Sequence, residues 1–153
     1  MSWTLRALDL TDDGTAETVH RIGLRAYRVE AELIGFDGIP ALHETVAQMR
    51  AEPLRWLGAV SEDGEPVAFL AWRRTTEGEI DIDRLCVDPG WFRKGIAGAL
   101  VDEVLRESGP AIVSTGAANT PAVTLYERKG FVRTGTLSPA PGLELATFRL
   151  DRA

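Results

Sequence analysis

The sequence has 153 residues, 44% hydrophobic and 26% charged, which suits one self-contained core and is too apolar for a disordered chain. A net charge of −6 excludes the broad basic face that nucleic acid requires, and no apolar run approaches the roughly 20 residues that span a bilayer, so neither nucleic acid nor membrane is an expected partner. Cys86 is the only cysteine and His20 and His43 lack ligand spacing, so no disulfide and no metal are expected, and the absence of an export pattern points to a cytoplasmic protein.

Taken in chain order, Trp3 to Leu8 is a short apolar run that reads as a first strand. Thr11, Asp12 and Asp13 then offer cap residues. Val19, Ile22, Ala26, Val29 and Leu33 recur at helical spacing and predict an amphipathic helix over 15–33. Gly35 to Pro40 break it, and a shorter helix is predicted over 41–51. Trp56 to Val60 and Pro66 to Trp72 are apolar runs joined by Glu62, Asp63, Gly64 and Glu65, a hairpin signal. A turn at Glu77 and Gly78 leads into a third strand over 79–88, stopped by Pro89 and Gly90.

Beyond it, Ile96, Ala97, Leu100, Val101, Val104 and Leu105 form one helical stripe, ended by Gly109 and Pro110. A strand over 111–115, a helix over 120–129 and a strand over 131–136 follow. Pro139, Pro141 and Gly142 make a late loop before a closing strand over 143–150. This order predicts a single α/β domain, 1–153, whose mixed sheet has helices on both faces and a right-handed strand–helix–strand crossover from 79 to 115.

In the third strand of the meander the alternation slips. Ile80 and Ile82 define one face and Asp81 and Asp83 the other, yet the next apolar residues are Leu85 and Val87. A one-residue bulge would explain the slip and free backbone groups near 83–86. The strand then enters Gly90 to Gly98 and a helix. A glycine-containing turn at a helix N-terminus offers unpartnered N–H groups and the positive end of the dipole, with Arg93 and Lys94 beside it, which suits a phosphate. Neither the Walker A spacing nor GxGxxG is present.

The stretch Leu85 to Leu100 resembles the acetyl-CoA-binding motif of the GNAT N-acetyltransferases, in which a strand ending Val-x-Pro leads into Arg/Gln-x-x-Gly-x-Gly/Ala and a helix. Gly95, Ile96 and Ala97 match the end of that motif, whereas Phe92 stands where the family has Arg or Gln. A second stretch, Asn119 to Phe131, resembles the family's Asn-x-x-Ala-x-x-Leu-Tyr-x-x-x-Gly-Phe signature at Asn119, Ala122, Leu125, Tyr126, Gly130 and Phe131. The resemblance implies a mostly antiparallel sheet of about six or seven strands, about four helices and a splayed central strand pair. It also implies acetyl-CoA as acyl donor, bound by Leu85, Cys86, Val87, Phe92, Arg93, Lys94, Gly95, Ile96, Ala97, Gly98, Asn119 and Tyr126. An amine of a small molecule or peptide is the implied acceptor, and a homodimer is compatible with the family.

Direct attack on the thioester makes three demands. The amine must be neutral, which costs roughly 4–5 kcal/mol for a lysine-type amine and about 1 for an α-amino group. A carboxylate near the central strand would take its proton, with Asp83 preferred for its place at the slip and Asp81 and Glu79 as further candidates. Freed N–H groups near 85–87 would meet the thioester oxygen. By resemblance, Tyr126 protonates the leaving thiolate. The alternative is a catalytically silent acyl-CoA sensor or regulatory module on the same fold. By the resemblance, acceptor contacts come from the first two helices and their loop, here residues 25–56 with Arg25, Tyr27, Arg28, Glu30 and Glu32 among them, and from the C-terminal strands. A solvated helix face explains those five equally well. Cys86, with no base in a pairing context, reads as a strand residue.

Overall fold

The computed structural model describes residues 2–153. β1 (Trp3–Ala7) is followed by α1 (Asp13–Ile34), which starts where the Asp12 carboxylate accepts the Thr15 N–H at 2.9 Å and stops at Gly35, whose φ of 68° ends helical geometry. Its buried face differs from the expected stripe. Ala16, Val19 and Ile22 are buried, but Val29 and Leu33 are 38% and 47% exposed. The inward face continues instead through Ala26 and Tyr27, both packed on the core, to Ile34.

The helix expected over 41–51 is two pieces, a short 3-10 turn (Pro40–His43) and α2 (Val46–Ala51). Thr45 divides them because it caps α2: its hydroxyl accepts the Gln48 N–H at 3.1 Å, while the Gln48 side chain accepts the Thr45 N–H at 2.9 Å. The meander follows as β2 (Arg55–Ser61), β3 (Pro66–Arg74) and β4 (Ile80–Val87). Next come α3 (Ile96–Val104), β5 (Ala111–Gly116), α4 (Thr120–Arg128), β6 (Val132–Ala140) and β7 (Leu143–Leu150).

The seven strands form one sheet in the order β1-β2-β3-β4-β5-β7-β6. Every neighbouring pair is antiparallel except β4–β5, which α3 connects. One face of the sheet packs Leu70, Ile80, Ile82 and Phe148 against Leu100 and Val101 of α3 and Tyr126 of α4. The other packs Phe69, Ala71 and Cys86 against Val19 and Ile22 of α1 and Met49 of α2.

The expected bulge is present. Trp72 of β3 pairs with Ile82 and its neighbour Ala71 with Arg84, so Asp83 is the additional residue on β4. Ile80, Ile82, Leu85 and Val87 therefore all join the α3 side, while Cys86 faces α1. Pro139 is a correction: it lies inside β6, which runs to Ala140, rather than in a loop. β6 is the edge strand, so the missing N–H of Pro139 interrupts no ladder beyond its own, and the register with β7 shifts between Leu137 and Ala140. Among the described residues no helix is long and apolar enough to cross a membrane.

Candidate active site

The central feature is an opening in the sheet. β4 pairs with β5 only through Ile80–Ala111, Asp81–Ile112 and Ile82–Val113, and there the parallel ladder ends. β3 continues alongside β4 to Val87, while β5 continues with β7 to Gly116. The bulge at Asp83 bends β4 at the point of separation. From Asp83 to Val87 the edge of β4 that faces β5 thus carries backbone groups without a strand partner. An extended ligand with amides of its own could complete that ladder. Leu85 and Val87 are half-buried on the α3 side of this edge, and Cys86 is 2% exposed on the α1 side.

The chain leaves the opening through a 3-10 turn (Pro89–Trp91), steadied by the Asp88 carboxylate accepting the Gly90 N–H at 3.0 Å. Phe92 and Arg93 follow, and then Lys94 and Gly95, all of them exposed. Arg93 has φ 63°, the only positive φ outside glycine among the described residues, and Gly95 has φ 76°. Left-handed residues at 93 and 95 turn successive N–H groups toward one another, a concavity suited to anions. It abuts the first turn of α3, whose earliest helical bond runs from the Ala99 N–H to the Gly95 carbonyl at 3.1 Å. The N–H groups of Ile96, Ala97 and Gly98 precede that bond and have no intrahelical acceptor. Lys129 reaches the same turn. Its Nζ lies 3.4 Å from where a Cβ on Gly98 would be, and it pairs with Asp102 at 2.9 Å. Side chain and backbone together gather donors that suit an anion.

Across the opening stands α4. Asn119 caps it by accepting the Ala122 N–H at 3.3 Å, and Tyr126 is 4% exposed, edge-on to Phe131 with ring centres 5.5 Å apart. Burial raises the Tyr126 phenol above its ordinary value, reinforced by Cys86 and Glu30 nearby, so it keeps its proton at every working pH. Cys86 is pushed up to about 12 by burial, an effect that the nearby Tyr27 phenol opposes, and the Tyr27 phenol is itself raised by burial. Glu30 joins this cluster from α1. Its carboxyl is raised by burial, an effect opposed by the nearby Asn119 side chain and Gly116 backbone.

The three carboxylates expected on or beside β4 all have arginine partners. Asp83, at the bulge, pairs with Arg84 at 2.8 Å, and Asp81 pairs with Arg73 at 3.1 Å. Glu79 pairs with Arg149, which holds its carboxyl below the ordinary range, and it lies at the closed end of β4. Arg84 also reaches Glu44 at 2.7 Å, tying the segment before α2 to the bulge, and covers the Trp56 ring at 5.7 Å. Of the polar α1 residues, Tyr27 and Glu30 turn inward, Arg25 pairs with Asp88 at 3.0 Å, and Arg28 and Glu32 are exposed. Glu30 is the one whose place sequence reasoning left undecided, although a signal existed. It sits at i+4 from Ala26 and i−4 from Ile34, a carboxylate within the stripe that α1 buries.

Residues 55–133 match a family model described as acetyltransferase (GNAT) domain. The chain is similar to UPF0157 protein YqkA of Bacillus subtilis (strain 168), 38% identical over 138 residues that cover 88% of this chain and 40% of that protein. It thus spans well under half the length of that relative. It is also similar to peptidyl-lysine N-acetyltransferase YjaB of Salmonella typhimurium (strain LT2), 30% identical over 121 residues that cover 79% of this chain and 72% of the relative. In fold it resembles ribosomal-protein-S18-alanine N-acetyltransferase from Escherichia coli, with a TM-score of 0.75 at 19% identity, covering 98% of this chain and 94% of that one.

Proposed function

This chain belongs to the acetyltransferase (GNAT) family, and on that premise we propose that it moves the acetyl group of acetyl-CoA to a primary amine by direct attack in a ternary complex. The observation that carries the reading is the end of β4–β5 pairing at Ile82–Val113, a short way before the turn that opens α3 at Gly95. The open edge of Leu85, Cys86 and Val87 suits an amide-containing arm. The amides from Arg93 to Gly98 suit the diphosphate at the other end of that arm, with Phe92, Arg93 and Lys94 at the exposed mouth. These residues fit the acyl donor, which supplies an activated thioester carbonyl.

Three roles fall to the protein. The freed N–H groups of β4 meet the thioester oxygen as it gains charge. Tyr126, which holds its proton, donates to the departing sulfur. Burial makes the phenol a weaker acid, and a thiolate leaving into the same dry site is in turn a stronger base than one in water, so the two effects oppose each other. A carboxylate takes the amine proton, and on β4 the candidate is Asp83, whose carboxylate would be shared between Arg84 and the incoming amine. YjaB acts on peptidyl lysine and the Escherichia coli structure on a ribosomal alanine, which supports a peptide amine beside a small-molecule one for this chain. A cytoplasmic setting belongs to the same proposal and suits the single free thiol.

One observation favours the alternative, a silent acyl-CoA sensor: Asp83, Asp81 and Glu79 are each engaged by an arginine. Thiol release from acetyl-CoA across an amine panel, with a CoA-dependent melting shift measured in parallel, separates the two. Turnover with at least one amine is expected. A melting shift with no turnover on any amine would assign the sensor role, and no shift at saturating CoA would remove both readings.

A further inference from the structure

Of the 17 basic residues in this chain only Lys94 and Lys129 are lysines, and both meet at the start of α3. Lys94 belongs to the turn itself. Lys129 is the C-cap of α4, but its side chain reaches across to α3. Its Nζ and Cε lie 3.4 and 3.5 Å from where a Cβ on Gly98 would stand, and Leu125 Cδ1 lies at 3.9 Å. Glycine at 98 leaves the room that the end of this side chain occupies. The Gly98 N–H is one of three at the start of α3 without an intrahelical acceptor, so the ammonium sits beside the positive end of the helix dipole. That dipole opposes a cation unless an anion joins it. Here the anion is Asp102, one turn further along α3, whose carboxylate is 2.9 Å from Nζ.

The first turn of α3 gathers more positive charge than it balances. Arg93 and Lys94 are exposed, and the carboxylates nearest to them in the chain, Asp88 and Asp102, pair with Arg25 and Lys129 instead. Position 92, where the GNAT motif carries Arg or Gln, is Phe92, which is 42% exposed and has no group to donate. We propose that Lys129 supplies the phosphate-binding side chain that Phe92 cannot, and that Asp102 is a counter-ion which the ammonium leaves when the acyl donor binds. The proposal rests on the acyl-donor reading above and assigns to it two residues outside the turn, Lys129 as a ligand of the donor and Asp102 as the group that positions it.

The pair is built to exchange. The Asp102 side chain is 63% exposed, so water competes for its carboxylate and the bridge adds little to stability. Lysine suits the task as well: a compact charge on a flexible four-carbon stem passes from one anion to another by torsion, whereas a guanidinium fork would grip the carboxylate through two nitrogens. A phosphate at the start of α3 would meet the free amides together with the ammonium and would have the dipole on its side. The diphosphate of the donor and the phosphate on its ribose offer an ammonium the same chemistry, and a truncated donor tells them apart. A bridge that served only to tie α3 to α4 would make different demands. Losing Asp102 would then lower stability and leave donor affinity alone, whereas the exchange requires that affinity rise, since the ammonium has no partner to leave.

Calorimetry with CoA and with dephospho-CoA tests it on the parent, Lys129→Gln, Asp102→Asn and the double variant. Lys129→Gln should bind CoA about ten-fold more weakly, with a flatter dependence on salt concentration. Asp102→Asn should bind CoA about three-fold more tightly, and that gain should vanish in the double variant. A loss shared by CoA and dephospho-CoA assigns the ammonium to the diphosphate, and a loss confined to CoA assigns it to the ribose phosphate. A second readout needs no variant. With only two lysines in the chain, an amine-acylating ester followed by peptide mass spectrometry reports Lys129 directly, and bound CoA should slow its labelling several-fold. Three results each overturn the proposal: CoA affinity in Lys129→Gln within about two-fold of the parent, the same gain from Asp102→Asn with and without Lys129, or labelling of Lys129 at an undiminished rate in the CoA complex. In those outcomes the parent still binds CoA and the acyl-donor reading stands, whereas a parent without affinity for CoA removes that reading and the proposal together.

Discussion

From Ile80 to Ile82, β4 is hydrogen-bonded on both sides, to β3 and to β5, while from Asp83 to Val87 it has β3 alone. Both stretches send alternate apolar side chains into the same core on the α3 side, Ile80 and Ile82 from one and Leu85 and Val87 from the other. Burial of side chains therefore does not distinguish them, and the difference lies in the backbone. Asp83 is the residue that separates the two, since as the extra member of the bulge it keeps the apolar phase on the core side while turning the strand away from β5. A sheet can thus open a binding edge at its centre without giving up core packing.

The sharpest way to break the comparison is to delete Asp83. The pairs Trp72–Ile82 and Ala71–Arg84 flank it, so a chain without residue 83 keeps every side chain on its present face and becomes a regular strand. The fold should survive with a melting temperature within a few degrees of the parent. CoA affinity should drop on the order of a hundred-fold, about 2.7 kcal/mol, because β4 would run on beside β5. Calorimetry decides it, and a deletion that binds CoA as the parent does would show that the bulge is not what opens the edge. Tyr126→Phe comes next. With the phenol gone and the ring retained against Phe131 and Phe148, kcat should fall ten-fold or more while CoA affinity changes little. An unchanged kcat removes Tyr126 from the chemistry.

A smaller effect tests the far end of the open stretch. Gly95 has φ 76° and nothing within 4 Å of the place a Cβ would take, so Gly95→Ala probes backbone conformation alone. Holding alanine in the left-handed region costs roughly 1–2 kcal/mol, which should appear in denaturant unfolding. CoA affinity should weaken several-fold as the amides of the turn rotate out of alignment. Full affinity would mean that the turn tolerates other geometries.

Much of this opening could be read from the sequence because two signals were internal to it. The phase slip between Ile82 and Leu85 needs only alternation to be noticed, and Asn119 to Phe131 places cap, helical face and strand start at fixed spacing. Other features depended on neighbours distant in the chain. Pro139 reads as a loop residue until β6 is seen to be an edge, where a missing N–H interrupts little. Val29 and Leu33 complete a plausible stripe on paper, but α1 is seated with Ala26 and Ile34 inward, which carries Glu30 in with them. A carboxylate inside an apolar stripe is a legible signal. What it faces depends on the glycine at 116, 86 residues away, and spacing cannot supply that.

The smallest expected effect separates side chain from backbone within the open stretch itself. Cys86 belongs to the half of β4 that lacks a partner toward β5, yet its thiol is 2% exposed beneath α1 and pushed up to about 12 by burial. At pH 8 that leaves on the order of one thiolate in 10⁴, and the reagent must also reach it. A thiol-reactive dye should therefore label the folded protein no faster than it unfolds, and label it fully in denaturant. Cys86→Ala should cost about 1 kcal/mol or somewhat more through the small void it leaves. Rapid labelling of the native protein would mean that α1 lifts from the sheet at this point, and the open edge would then be a mobile flank rather than a fixed feature of β4.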